Sequence, residues 1–375
     1  GYNSSDGVLV DITPPVPVVL HEGTSVDLDD DAVGNTDAVS LTVTCSDPES
    51  GVHHVEVRVL HVDFSSGAVL GVQRNWSAIP DSFAPPAVEP AVFRVTLTGL
   101  DTTHGEWYVS SARCVNGAGA YSDIDSDGFI VDTTPPDVGS VDIRHAVHNV
   151  YARFQTDTGT LSASWVGFDD SLSKVTAYAW SIGTTPHGTD VLDVTNVGSA
   201  TAASAGPGLE LIDGTTYYVT VYSTNAAGLV SSTASGGVTV DSTAPLAPEE
   251  VLISLDAEHA KTGWLGSTTD MHLMWDASVE PDSNVTYRWA LGTVPNGQQV
   301  VPWVYTGHQT SDHASGLALI PGLSYYVTVE VTNEVQRITT HVLGVDEVQE
   351  IIIKAGAADV GAPPPCAILL GADMT

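Results

Sequence analysis

The feature that most constrains this chain is a short phrase that it carries four times. VDTTPP at residues 131–136 has near-copies at 10–15 (VDITPP) and 240–245 (VDSTAP), and a degraded copy at 358–365 (ADVGAPPP). The copies start 121, 109 and 118 residues apart, a period that is too long for a solenoid repeat and fits whole domains in tandem. We therefore expect an array of similar domains, each joined to the next at one of these phrases.

Three further blocks recur between the second and third units, at offsets of 108 to 110 residues. In the first, LSASW at 161–165 matches MHLMW at 271–275, and alternating apolar residues that end on a Trp are typical of a half-buried strand. The other two pair YAWSIGTTPHG with YRWALGTVPNG, and LIDGTTYYVTVYSTN with LIPGLSYYVTVEVTN. The first unit is a more divergent copy, and the sequence carries no extended apolar stripe of helical period. This pattern predicts an all-β chain of antiparallel β-sandwiches.

The third block resembles part of a known family. LIPGLSYYVTVEVTN at 319–333 is similar to the strand E–F region of fibronectin type III domains, and the Trp that ends the first block resembles the strand-B Trp of that family. The resemblance implies three tandem Ig-like or fibronectin type III-like sandwiches. Each would have buried core tryptophans and a tyrosine corner, whose hydroxyl bonds to the backbone at the E–F bend. The core residues would be Trp165, Trp180, Trp275 and Trp289, and the corner residues Tyr217 and Tyr325.

The sequence of the second unit also resembles that of a narrower group of proteins. AWSIGTTPHGTDV, DGTTYYVTVYSTNAAGLVSS and VDSTAP are similar to extracellular repeats in large surface proteins of algae, other protists and some animals. Among these are mastigoneme-type filament glycoproteins, which build hair-like filaments on flagella. This resemblance implies an extracellular or cell-surface location.

The resemblance also sets the expected domain boundaries. Sandwiches are predicted at residues 12–132, 133–241 and 242–358, joined by Pro-rich linkers. Because Pro lacks an N–H and fixes φ, it ends sheet pairing and stiffens the connection, which favours domains held in line. Orphan strands are predicted at both ends: residues 1–11 match a closing strand, and 359–375 contain a Pro-rich join and the start of a next unit. Each would pair either with a neighbouring copy, which gives a filament, or with the next domain of a longer chain.

The cysteines fit the same framework. Cys45 occupies the place of Trp165 and Trp275, and Cys114 lies at an inward position of the predicted strand F. Because strands B and F face each other in the fold that the resemblance implies, we expect a Cys45–Cys114 disulfide in place of the core Trp. Two reduced buried thiols are the alternative. A disulfide would place the protein outside the cytosol, and Cys366 has no evident partner.

The net charge of the chain restricts which partners it can bind. The chain has 11 Lys and Arg against 46 Asp and Glu, and its net charge is −35. This field repels nucleic acid and anionic membrane surfaces, and no stretch is apolar enough to span a bilayer, so we expect no nucleic-acid partner and no membrane insertion. The chain starts at Gly1 without a signal segment, which favours a mature or internal piece of a longer protein.

Covalent glycans are expected on this chain. Three N-x-S/T sequons are candidates for N-glycosylation, each in a predicted loop or at a strand edge: Asn3, Asn75 and Asn284. About that many sequons arise by chance in a chain rich in Ser and Thr, so the sequence leaves the occupancy of each one open.

Metal-binding and catalytic motifs are weak. Asp123, Asp125 and Asp127 imitate the start of an EF-hand loop, but Thr134 stands in place of its closing Glu and the surroundings are strand rather than helix. An interdomain calcium site is left open there. The acidic run at 27–31 is predicted to be a solvated loop. Three histidines lie close together in the sequence: His53, His54 and His61. Strand alternation turns the second away from the other two, so we predict surface or edge histidines rather than a metal site. No G-x-S-x-G, H-E-x-x-H or P-loop motif occurs, so we expect no catalytic residues, no enzyme activity and no cofactor apart from the open calcium site.

Together these features favour an extracellular structural subunit of a glycosylated surface fibre or filament. Its partners would be copies of itself in a linear assembly, together with surface glycans or other wall proteins. Two alternatives remain open: an adhesin or receptor ectodomain that binds a ligand through its loops, and a non-catalytic spacer array of a carbohydrate-active enzyme.

Overall fold

The computed structural model describes residues 10–80, 90–143, 153–254, 264–343 and 351–353. These residues form strands and connections without an α-helix, which confirms the predicted all-β class. The strands make three sets of nine, and each set forms one three-stranded and one six-stranded sheet, which we call sandwiches 1, 2 and 3. No described helix is long and apolar enough to cross a membrane.

The chain divides into two compact units. The first contains sandwich 1 and most of sandwich 2. The second contains sandwich 3 together with the short segments 153–158 and 210–215.

Sandwich 1 has the strand arrangement of an Ig-like domain. Its strands are β1 Val16–Glu22, β2 Ala32–Val33, β3 Ala38–Ser46, β4 Val52–Val62, β5 Val69–Ala78, β6 Ala91–Thr98, β7 Trp107–Asn116, β8 Tyr121–Asp125 and β9 Phe129–Val131. The smaller sheet has the order β1-β3-β6, and the larger has the order β2-β9-β7-β4-β5 with β8 also on β7. All these pairs are antiparallel except the short parallel pair of β2 with β9. Valines that alternate along β4 point into the core: Val55, Val57 and Val59 are fully buried.

Sandwich 2 repeats this order. Its strands are β10 Ser140–Ile143, β11 Phe154–Gln155, β12 Leu161–Val166, β13 Val175–Gly183, β14 Leu192–Gly198, β15 Ala202–Ala205, β16 Thr216–Asn225, β17 Val230–Ala234 and β18 Val238–Val240. The sheets are β10-β12-β15 and β11-β18-β16-β13-β14, with β17 on β16. The same connectivity in both sandwiches agrees with the repeats seen in the sequence.

Sandwich 3 has the same plan again. Its strands are β19 Val251–Ser254, β20 Trp264–Leu265, β21 Asp270–Trp275, β22 Val285–Gly292, β23 Val301–Gly307, β24 Ser311–Ser315, β25 Ser324–Asn333, β26 Ile338–Leu343 and β27 Ile351–Ile353. The sheets are β19-β21-β24 and β20-β27-β25-β22-β23, with β26 on β25. In β21 half-buried and buried residues alternate, as the period-2 pattern of MHLMW predicts.

A large side chain or a disulfide fills the same place in each core. Trp165 lies opposite Val141 on the first strand of sandwich 2, and Trp275 lies opposite Val251 in sandwich 3. The predicted core residues are all buried between the sheets: Trp165, Trp180, Trp275 and Trp289. Apolar area of this size, removed from water, is the main source of stability in such small cores.

In sandwich 1 the corresponding place belongs to Cys45, which lies opposite Pro17 of β1. The structure joins Cys45 to Cys114 of β7 in a disulfide with a Cα–Cα distance of 6.2 Å. Both cysteines are fully buried. The disulfide therefore links the two sheets where the other sandwiches have a core Trp.

Several predicted features lie outside the described residues. These are the orphan strands apart from Val10 and Asp11, the join at 358–365, the sequon at Asn3, and Cys366. Val10 is 76% exposed, and Asp11 is hydrogen-bonded into sandwich 1.

Candidate functional site

The Asp of the repeated phrase begins a buried hydrogen-bonded cluster, which we call the join cluster. In sandwich 1 the side-chain amide of Asn116, the last residue of β7, donates to three oxygens. These are Asp11 Oδ2 at 2.7 Å, the Thr13 carbonyl at 2.8 Å and Asp47 Oδ2 at 3.0 Å. The Ser50 hydroxyl also donates to Asp11 Oδ2. The linker is thereby tied to the body of the sandwich that follows it.

Sandwich 2 has the same cluster. Asn225, the last residue of β16, donates to Asp132 Oδ2 at 3.2 Å, to the Thr134 carbonyl at 2.9 Å and to Asp170 Oδ2 at 2.9 Å. Ser173 Oγ donates to Asp132 Oδ2 at 2.5 Å. The carboxylate of Asp132 is completely buried, and a buried carboxylate requires donors of this kind.

Sandwich 3 has a third, altered copy. Asn333, the last residue of β25, donates to Asp241 Oδ2 at 3.0 Å, to the Thr243 carbonyl at 3.0 Å and to Glu280 Oε2 at 3.3 Å. Ser283 Oγ donates to Asp241 Oδ2. Glu280 thus stands where the other clusters have an Asp.

The sequence folds this way locally because the Asn ends its strand at a tight turn. The Oδ1 atoms of Asn116, Asn225 and Asn333 each accept a hydrogen bond from a backbone N–H four residues later. This contact fixes which way the amide points, so that its NH₂ group faces the linker. A side-chain amide is suited to this position because one group can accept from the turn and donate to two carboxylates.

Hydrogen bonding keeps two of these carboxylates acidic. The Ser50 hydroxyl lowers the pKa of Asp11. Burial acts to raise the pKa of Asp170, but the hydrogen bonds from Asn225 and from backbone N–H groups outweigh it, and the net pKa is lowered. A lowered carboxyl pKa stabilises the fold above the unfolded pKa, and that stabilisation is lost as the pH falls through the folded pKa.

The third cluster differs in its electrostatics. Burial raises the pKa of Glu280, and the charges of Asp241 and Asp282 raise it further. Burial also raises the pKa of Asp282, followed by the charges of Asp213 and Asp241. Both shifts are upward, in contrast to the lowered pKa values of Asp11 and Asp170.

The join clusters were not predicted from the sequence, where the linker Asp was read only as part of a stiff connector. A signal was present, however. The Asp and the Asn of one cluster lie 93 residues apart in sandwich 2 and 92 apart in sandwich 3. The separation is 105 residues in sandwich 1, so the recurrence is close only between the second and third units.

The three aspartates proposed as a calcium site have different neighbours. Asp123 forms a two-point ion pair with Arg113, at 2.7 and 2.9 Å, and Asp125 lies 4.0 Å from Arg58. Asp127 instead offers an oxygen within 4.8 Å of oxygens of Glu22 and Asp29. Among the described residues, the carboxylates that come this close do not include the predicted set of three.

Glu22 is the most unusual acid of sandwich 1. Its side chain is completely buried at the end of β1, and its Oε1 accepts from Ser126 Oγ at 2.7 Å. Asp29, from the acidic run predicted to be solvated, turns inward and accepts from the Glu22 N–H at 2.7 Å. Burial raises the pKa of Glu22 to about 7, and the charge of Asp29 contributes to this rise.

We expect the free energy of unfolding to fall as the pH rises from about 4.5 to about 7 because of Glu22. In this window the folded chain keeps a proton that the unfolded chain has released, and the loss amounts to roughly 3 kcal/mol. Glu22→Gln should remove this part of the slope, measured by denaturant unfolding at several pH values. The control is Asp125→Asn, which neutralises an exposed acid and should keep the slope. An unchanged slope in Glu22→Gln would contradict the prediction.

The tyrosine corners occupy the expected bends. Tyr325 Oη accepts from the Ile320 N–H at 2.8 Å, and Tyr217 is buried at the equivalent place. Sandwich 1 has a further corner, in which Tyr108 Oη accepts from the Thr103 N–H at 2.8 Å. Tyr108 was not singled out in the sequence, although YVSSARCVNGAG aligns it with Tyr217.

The prediction that His54 faces away from His53 was wrong. Their Nδ1 atoms lie 2.9 Å apart, because the pairing of β4 with β7 shifts between Val52 and His54 and breaks the alternation there. His61 lies apart from both and contacts Glu106 at 3.0 Å. The structure therefore does not bring the three histidines together.

Two of the sequons lie on the surface. Asn284 is exposed and directly precedes β22. Asn75 is exposed too, but it lies within β5 rather than in a loop, and β5 is an edge strand of its sheet. Both asparagines are accessible to a modifying enzyme.

Comparisons with known proteins give a fold-level picture only. No protein-family model and no curated protein matches the chain. Among solved structures, the FN1–FN3 domains of chicken CNTN1 are 14% identical with a TM-score of 0.33, and the match covers 88% of this chain and 99% of that chain. A domain fragment of titin is 10% identical with a TM-score of 0.33, over 87% of this chain and 94% of that chain. A bacterial ice-binding adhesin is 16% identical with a TM-score of 0.33, over 92% of this chain and 100% of that chain.

Likeness at this level carries no argument about function or source. A mastigoneme-type protein and an algal origin have no support among these matches. The sheet order and the buried residues described above are what define the fold of this chain.

Proposed function

We propose that this chain is a non-catalytic, extracellular structural subunit of a glycosylated surface fibre or filament, built from tandem β-sandwiches. The observation that carries this proposal is the join cluster, which recurs in all three sandwiches. In each one a buried amide binds both the linker Asp and the carbonyl two residues later, so the linker is fixed to the sandwich that follows. An array that transmits tension needs linkers that are held in this way, whereas flexible linkers suit domains that move independently.

The disulfide supports the extracellular part of the proposal. Cys45 and Cys114 are bonded in the core of sandwich 1, and such bonds persist mainly in oxidising compartments. The net charge of −35 favours solubility and opposes lateral association of copies by mutual repulsion. Linear association then requires a head-to-tail contact between copies, which does not close and so propagates as a filament.

Imaging tests the filament directly. Negative-stain electron microscopy of native particles, and of the purified chain over a range of concentrations, should show linear assemblies whose length grows with concentration. Native particles that are single and unbranched, together with a chain that stays monomeric at every concentration, would contradict the filament and favour an adhesin or receptor ectodomain.

Glycosylation is a separate prediction. Protein from its native source should carry a glycan on Asn75 or Asn284, because both side chains are exposed. Mass spectrometry of the two peptides before and after glycosidase treatment measures it. Asn75→Gln and Asn284→Gln should change the free energy of unfolding by less than about 0.5 kcal/mol, since surface substitutions rarely exceed this. Two unmodified peptides without any mass shift would contradict the prediction.

A further inference from the structure

The join cluster of sandwich 3 contains a carboxylate oxygen that has no hydrogen-bond partner among the described residues, whereas the equivalent oxygen of sandwich 2 has two donors. Asp241 is completely buried; its Oδ2 accepts from Asn333 and Ser283, but its Oδ1 is buried with no hydrogen-bond partner among the described residues. In sandwich 2 the equivalent Asp132 Oδ1 accepts from the N–H of Thr134 at 3.0 Å and from its hydroxyl at 2.7 Å. The Oδ1 atom of the linker Asp therefore has protein donors in sandwich 2 and none among the described residues in sandwich 3.

The buried Asp241 belongs to a group of acids. One carboxylate oxygen from each of Asp241, Glu280 and Asp282 lies within 4.8 Å of the other two. The corresponding positions of sandwich 2 are Asp170 and Leu172, so Asp282 adds a carboxylate where the other sandwich has an apolar side chain. Sandwich 3 therefore has three converging carboxylates where sandwich 2 has two. Sandwich 1 also has an acid at this position, Glu49, but its Oε2 accepts a hydrogen bond from Thr13 Oγ1 at 3.0 Å.

Within the part of the chain that the structure describes, these charges lack a cationic partner. None of the ion pairs among the described residues joins Asp241, Glu280 or Asp282 to a Lys, Arg or His. The serine and asparagine donors that the cluster does have are neutral. A buried carboxylate that lacks a partner destabilises a fold by several kcal/mol, and nearby like charges increase that penalty.

Steric space is also kept for the third carboxylate. Gly214 has a φ of +73°, and a Cβ at this position would lie 2.6 Å from Asp282 Oδ1. Any larger residue would push Asp282 away from its present place. Asp282 Oδ1 therefore lies close to the backbone of Gly214, at a place where a side chain on residue 214 would crowd it.

We propose that Asp241, Glu280 and Asp282 form a binding site for a divalent cation, and that the cation is Ca²⁺. All three ligands are carboxylate oxygens, which hard cations prefer, and Ca²⁺ accepts irregular sets of six to eight oxygens at about 2.3–2.6 Å. Oxygens that share such an ion lie up to about 5 Å apart, as these three do. Mg²⁺ requires a near-ideal octahedron and holds its waters tightly, so it should bind more weakly here. Bound Ca²⁺ would supply the positive charge that none of the described ion pairs provides to this group.

Isothermal titration calorimetry of the EDTA-treated full chain with CaCl₂ tests the site. The unmodified chain should bind Ca²⁺ with a dissociation constant on the order of 10⁻⁵ to 10⁻³ M, and MgCl₂ should bind more weakly. Asp282→Asn should weaken this binding by about tenfold or more, or abolish it. The matched control is Asp276→Asn, which removes the same charge from an exposed position of sandwich 3 and should bind as the unmodified chain does.

We expect Asp282→Asn to fold as the unmodified chain does, because Leu172 shows that an uncharged side chain fits the equivalent place of sandwich 2. Calorimetric unfolding in EDTA should show the same transitions for Asp282→Asn and the unmodified chain. Addition of 1–10 mM CaCl₂ (about ten times the weakest dissociation constant at its upper end) should raise one transition of the unmodified chain and of Asp276→Asn, but not of Asp282→Asn. An absence of Ca²⁺ binding, or equal binding by Asp282→Asn, would overturn the proposal.

Discussion

Replacing Trp275 with alanine should lower the free energy of unfolding of sandwich 3 by about 3–5 kcal/mol. Trp275 ends β21, is 5% exposed, and packs against the ring of Tyr287 with 5.8 Å between the ring centroids. Its neighbours in the core include Leu273 and Trp289, which belong to the two facing sheets and cannot both move to fill the space. The loss therefore combines the transfer of the indole to water with the cavity that it leaves.

Differential scanning calorimetry of the full chain measures this effect as a lower midpoint for one transition. The matched control is Tyr305→Ala, which removes an aromatic side chain from β23 of the same sandwich. Tyr305 is 69% exposed, so its removal should change the stability by less than about 0.5 kcal/mol. Equal midpoints for Trp275→Ala and the unmodified chain would show that the core of sandwich 3 is arranged differently.

The strands of these sandwiches could be predicted because their two faces meet different environments. Along β21, Met271, Leu273 and Trp275 face the core, and the residues between them are half-buried. A period of two in the sequence reports this difference directly. The same reasoning places Cys45 and Trp165 at equivalent inward positions. The prediction of the disulfide also needed the resemblance to fibronectin type III domains, which implies that the strands of Cys45 and Cys114 face each other.

Alternation fails where a strand carries a bulge. His53 and His54 are adjacent in β4, and the predicted arrangement put them on opposite faces. The register shift after Val52 adds a residue on one strand only, so the two rings meet edge to face at 5.1 Å. The position of a bulge depends on the pairing with β7, which a single strand sequence does not encode.

Hydrophobic patterning does not predict the join clusters, because their chemistry is polar and non-local. Asn116 and Asp11 lie 105 residues apart and contact each other only once the sandwich has folded. Hydrophobic periodicity carries no information about such pairs, and an Asp beside Thr and Pro is an ordinary composition for an exposed linker. The structure shows instead that Asp132 and Asp241 are buried, which changes the linker from a passive connector into part of the core.

Exchange of both cysteines for alanine should destabilise sandwich 1 by about 4 kcal/mol. Cys45 and Cys114 are separated by 69 residues, and opening a loop of this length restores conformational entropy to the unfolded chain. Both sulfurs are fully buried, so the double variant also loses packing where the other sandwiches have Trp165 and Trp275. The measurement is calorimetric unfolding of Cys45→Ala/Cys114→Ala.

A Cys366→Ser background isolates this effect, because it leaves the Cys45–Cys114 pair as the only cysteines of the chain. In that background, dithiothreitol should lower the midpoint of the same transition that the double alanine variant lowers. It should have no effect on the double variant, which has no disulfide to reduce. The transitions of sandwiches 2 and 3 should stay where they are under both treatments, because their cores contain Trp in place of the disulfide. If reduction left every midpoint unchanged, the disulfide would not be what stabilises sandwich 1, and its buried valines would have to hold the two sheets together alone.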